Sequence, residues 1–171
     1  MGVLKKLDQW VIKIEEWILS YAIITIAVMV IGNMLSRTIT GSSWAFSMEV
    51  SNFAVIIATF LGISYAARKG RHISMSAFYD LAPFPIRKAL AIFIPAVTAL
   101  TLLVLAWFSF SYFQALYESG RVTTAMQLPA YIFALFVPIG FIFGSIQFIR
   151  NMWINIKEKD VYLAQERKDY S

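Results

Sequence analysis

The chain has 171 residues, of which 59% are hydrophobic, 16% aromatic and only 15% charged, with 15 Lys and Arg against 10 Asp and Glu for a net charge of +5. Soluble domains carry roughly a quarter charged residues, so the composition argues against a water-soluble enzyme and, with so much apolar content, against disorder. The absence of cysteine and the single histidine remove disulfide, iron–sulfur, zinc and bis-histidine haem chemistry, and no cofactor or metal is expected.

The first elements of the chain are amphipathic. Val3, Leu4, Leu7, Trp10, Val11, Ile14, Trp17 and Ile18 recur at helical spacing, while Lys5, Lys6, Asp8, Gln9, Lys13, Glu15 and Glu16 fill the other side. This predicts an interfacial helix over residues 1–17, its apolar stripe either in the headgroup region or against a partner's helix. Asp8, Glu15 and Glu16 interrupt any signal-peptide core.

Four uncharged apolar stretches follow, each reaching the roughly 18 residues of a membrane span. The spans are placed at about 18–36, 46–67, 87–117 and 128–150, with a tail at 151–171. The expected fold is therefore an all-α integral membrane protein of one domain, four transmembrane helices preceded by the interfacial helix. Every Lys and Arg except Arg37 and Arg121 lies before the first span, between the second and third, or in the tail. The positive-inside rule then puts both termini in the cytoplasm, and the basic charge serves topology and anionic lipid headgroups, not nucleic acid.

Within the spans the informative residues concern packing. Ala54, Ala58, Gly62 and Ala66 fall at steps of four, and Gly140 and Gly144 form a GxxxG; both patterns let helices approach closely. Pro85 and Pro129 suit helix starts, whereas Pro95 and Pro138 fall inside helices and predict kinks. No Asp, Glu, Lys, Arg or His occupies the middle of a span, where ion- or proton-conducting proteins keep such residues. Nucleophile triads, phosphate loops and carboxylate pairs are likewise absent, so the chain is read as a non-enzyme without a conduction path of its own.

The charges at the span ends are the remaining candidates. Arg37 and Glu49 bracket the first hairpin and either pair with each other or dock a partner; Arg121 and Glu118 admit the same two readings. On the opposite side, Arg68, Arg71 and His72 form a basic cluster suited to lipid phosphate or a partner subunit.

The order Asn33-x-x-x-Arg37, Trp44, Glu49, then Gly62-x-x-x-Ala66-Ala67-Arg68-x-Gly70-x-His72-Ile73 resembles the small four-helix membrane subunit of tripartite ATP-independent periplasmic (TRAP) transporters. Gly120, Thr123, Thr124, Pro129 and Pro138-Ile139-Gly140 continue the likeness, while Met48 and Ser74 stand where the family often has acidic residues. The resemblance implies a bacterial or archaeal inner-membrane complex with a large, elevator-like permease subunit and a periplasmic substrate-binding protein. In that complex the small subunit is a static scaffold for sodium-driven uptake of an organic acid such as sialic acid or a C4-dicarboxylate. In overall character the chain is similar to the sialic-acid branch. The competing expectation is an autonomous small transporter or channel built as a homo-oligomer.

Overall fold

The computed structural model describes residues 2–69, 83–158, 162–164 and 167–168. Four helices make up almost all of it: α1 (Gly2–Thr40), α2 (Ser47–Lys69), α3 (Phe84–Ser119) and α4 (Ala130–Lys157). A short antiparallel ribbon, β1 (Tyr162–Ala164) with β2 (Arg167–Lys168), follows and lies near α4 and α2. All four helices are long and apolar enough to cross a membrane. Four crossings put the start of α1 and the end of α4 at one end of the bundle, here the terminal end. The α1–α2 and α3–α4 connections form the opposite, loop end.

Chain chemistry sets the helix limits. Gly41, with φ 71°, closes α1 by donating its N–H to the Arg37 carbonyl, and Gly120, with φ 61°, closes α3. Both are left-handed positions that glycine takes without steric cost. Pro83 caps α3 and Pro85 lies in its first turn, while Pro129 stands at the N-cap of α4. Pro95 and Pro138 are carried inside continuous helices, and both are buried.

The structure differs from the sequence reading at the amino end. No break separates an interfacial helix from a first span; α1 is one helix of 39 residues, about 58 Å long at 1.5 Å per residue against a hydrocarbon core of about 30 Å. Its polar side also faces differently from a water-exposed amphipathic helix. Glu15 is buried against α2, while Trp10, Val11, Ile14, Trp17 and Ile18 are exposed. A helix surrounded by lipid turns its polar groups toward protein and its large apolar groups outward. The last helix likewise runs past Arg150 to Lys157, into the segment assigned to the tail.

Helix α1 packs on α2, α2 on α4, and α3 along α4. Ala67 of α2, Ala99 and Leu102 of α3 and Phe148 of α4 form the shared core, with Ile63 and Phe141 against it. Phe53 meets Phe133 and Phe136 edge-on, and Phe60 meets Phe141 in the same way. Among the described residues, seven of the nine buried hydrophobic side chains are alanine, whereas large side chains such as Trp107, Phe108 and Ile31 are exposed. That distribution inverts a soluble core and matches helices that associate by close backbone approach in lipid.

Candidate functional site

At the loop end the first connection is held by Asn33, whose Oδ1 accepts the Trp44 backbone N–H at 2.7 Å. The Trp44 indole lies over Gly32 and stacks on Phe46. The Ser36 hydroxyl donates to the Ser42 carbonyl and that of Thr40 to the Ser36 carbonyl, closing the last turn of α1. Arg37 projects from that turn, and among the described residues its guanidinium makes no hydrogen bond or ion pair.

Glu49 does not pair with Arg37. Its Oε1 accepts the Ala125 N–H at 2.6 Å and the Thr124 hydroxyl at 3.1 Å, and its Oε2 accepts the Met126 N–H at 2.9 Å. The loop that it grips is itself closed by bonds from Ala130 N–H to the Arg121 carbonyl and from Thr123 N–H to the Leu128 carbonyl. The Thr123 hydroxyl accepts the Leu128 N–H in return, and Gln127 takes a positive φ of 54° at the tip. Glu49 also stands in the first turn of α2, where the helix dipole favours a negative charge. One carboxylate thus fastens the start of α2 to the α3–α4 connection.

The terminal end holds a buried polar layer. The Ser64 hydroxyl donates to Glu15 Oε1 at 2.9 Å, and the Tyr65 hydroxyl to Glu16 Oε1 at 3.0 Å, joining α1 to α2. On α4, Asn155 donates from Nδ2 to the Asn151 carbonyl and side chain, and Gln147, Asn151 and Asn155 are all buried. The Lys88 ammonium donates to the Glu158 carbonyl, tying α3 to the end of α4. Arg68 is only 2% exposed and is engaged within the chain. Arg68, expected as a partner or lipid contact, is thus covered within this chain. Arg71 and His72 lie outside the described residues.

The small residues occupy unequal positions. A Cβ on Gly140 would stand 2.5 Å from Phe60 Cβ and 2.6 Å from the Phe60 carbonyl oxygen; one on Gly144 would stand 2.8 Å from Ile63 Cγ2. At both positions α4 approaches α2 closely. A Cβ on Gly62 would meet only Leu19 of α1 at 3.8 Å, an ordinary contact. Ala54 is buried, and Ala58 and Ala66 are half-buried.

Of the sequence candidates, Glu49 and Arg121 share the loop end of α2, α3 and α4, while Arg37 stands apart on α1. The Glu15–Ser64 and Glu16–Tyr65 bonds were missed because each joins residues 49 positions apart. The spacing of Gln147, Asn151 and Asn155, one polar face at steps of four, was the available signal for the layer on α4.

A compact set of four apolar helices tied by polar contacts at both ends defines a small multi-pass helical membrane protein. Residues 26–158 match the family model for the DctQ component of tripartite ATP-independent periplasmic transporters, and the chain belongs to that family. It is 38% identical over 163 residues, 95% of its length and 84% of the relative's, to the ectoine TRAP transporter small permease protein TeaB of Halomonas elongata. It is also 32% identical over 80 residues to the sialic acid TRAP transporter permease protein SiaT of Haemophilus influenzae. The second match spans 47% of the chain and 13% of that much longer relative. The chain is therefore a TRAP small permease subunit of the inner membrane, not an enzyme, and small subunits of this kind work with a large permease subunit and a periplasmic binding protein.

Proposed function

We propose that this subunit is a static scaffold that braces a large permease subunit during sodium-driven solute uptake and itself binds no solute. The observation that carries this reading is the placement of charge. Charged side chains keep to the two ends of the bundle, and Glu15, Glu16, Glu49 and Lys88 there engage neighbouring segments of the same chain. Such contacts hold a shape; a transport path would need ionisable groups at mid-span. The distribution of Lys and Arg favours cytoplasmic termini, with the loop end in the periplasm. Arg37 and Arg121 then mark the periplasmic edge, where Glu49 shapes the loop offered to partners, and Arg71 and His72 mark the cytoplasmic edge. The Ala54, Ala58, Gly62 and Ala66 row serves helix packing, as do Gly140 and Gly144.

For the solute, the match over 95% of the chain favours ectoine or a related small organic acid over sialic acid. The test is reconstitution of the full system with and without this chain. Uptake driven by a sodium gradient should require the chain together with its large partner, recovered at a fixed ratio in mild detergent. Solute flux through liposomes holding this chain alone would overturn the scaffold reading and favour an autonomous homo-oligomeric transporter.

A further inference from the structure

At the loop end, α2, α3 and α4 line an open cavity of about 380 Å³ that Glu49 and Arg121 both border, within the range of about 300–1,000 Å³ typical of ligand sites. The acid and the base do not pair with each other. Glu49 faces the loop amides of Ala125 and Met126. The Arg121 guanidinium, the Asn52 amide and the Tyr112 hydroxyl make no hydrogen bond to the described residues.

The lining also changes character with depth. From Glu49 to Ile56 it descends two turns of α2, about 10 Å. Phe133 and Val137 mark the same descent on α4 and make the inner part apolar. A cation and an anion at the mouth, uncommitted polar groups below and hydrocarbon beneath them complement a molecule that is zwitterionic at one end and apolar at the other.

We propose that this cavity binds one amine-bearing phospholipid of the surrounding bilayer. Its phosphate sits on Arg121, its ammonium group toward Glu49, its ester carbonyls within reach of Asn52 and Tyr112, and its first methylenes against Ile56, Phe133 and Val137. A free solute would leave the apolar floor unused. A lipid held only at the rim of the protein would not require opposite charges on a cavity walled by three helices and a fastened loop. The inference stands apart from the scaffold reading, since it depends on neither the large subunit's movement nor the solute.

The experiment is native mass spectrometry of the complex between this chain and its large permease subunit, with phosphatidylethanolamine or phosphatidylglycerol added in separate arms. The expected result is a one-to-one phosphatidylethanolamine adduct that stays with this chain when the subunits are separated in the gas phase. Phosphatidylglycerol, which lacks the ammonium group, should bind more weakly. Arg121→Gln, compared with the unaltered complex at equal recovery of the two subunits, should weaken the adduct at least about tenfold, the loss of one charge-assisted hydrogen bond. Ala134→Phe should fill the cavity and abolish retention; should that variant misfold, Arg121→Gln still decides. An adduct unchanged by Arg121→Gln, equal retention of the two lipids, or lipid leaving with the large subunit would each overturn the proposal.

Discussion

The Ser64 hydroxyl donates to the Glu15 carboxylate at 2.9 Å across the α1–α2 contact, with Ser64 fully buried and Glu15 nearly so. Because lipid offers no hydrogen-bonding partner to replace either group, the two residues depend on each other more than a surface pair would.

Ser64→Ala should therefore destabilise the subunit by about 1–3 kcal/mol, the cost of leaving a buried acceptor short of a donor. A double-mutant cycle with Glu15→Gln, read by thermal unfolding of the purified complex, should return a coupling of about 1 kcal/mol. Strict additivity would mean that the bond contributes nothing.

Gly140 and Gly62 should behave oppositely although both belong to small-residue patterns. Gly140→Ala drives a methyl into the Phe60 backbone and should cost about 1–3 kcal/mol. Gly62→Ala has room beside Leu19 and should be neutral or slightly stabilising. Equal melting temperatures for the two variants would contradict the close contact of Gly140 with Phe60.

Glu49→Ala removes the acceptor of two backbone amides and one hydroxyl. Hydrogen exchange at Ala125 and Met126 should accelerate by at least about tenfold, with the core at Ala99 and Phe148 unaffected. Protection that persists in the variant would show that the loop holds its shape by its own internal bonds.

Exchanging the charges of Arg37 and Glu49 distinguishes the hairpin pair from the loop clasp. Arg37→Glu should leave stability within about 0.5 kcal/mol, as for an exposed side chain outside any network. Glu49→Arg should loosen the 124–126 loop, and combining the two should rescue nothing. Recovery of stability in the double variant would restore the hairpin pair. Under the scaffold reading, Arg37→Glu should still lower uptake by the reconstituted system, through docking and not folding.

The spans were legible because each is a long uncharged run, and the starts of α3 and α4 because Pro85 and Pro129 suit a first helical turn. The close approach at Gly140 and Gly144 was legible as a pattern, but not its target on Phe60 and Ile63. The polar contacts were harder to read. Glu49 looked like half of a local pair because Arg37 is near in sequence, yet its partners lie 75–77 residues on. Glu15 and Glu16 were legible only as part of the polar side of the first helix, because the helical wheel shows which residues share a face, but not whether water, lipid or another helix lies beyond it.

The pairing of α3 with α4 also bears on how the chain is made. Emerging from the ribosome in order, α1 and α2 can close their hairpin as soon as both have entered the bilayer. The buried edge of α3 at Ala91, Ala99 and Ala106 packs chiefly along a helix that has not yet been synthesised. During that interval α3 is the exposed flank of a half-built protein, and a nascent chain arrested before Gly140 should be the form that quality-control proteases find first.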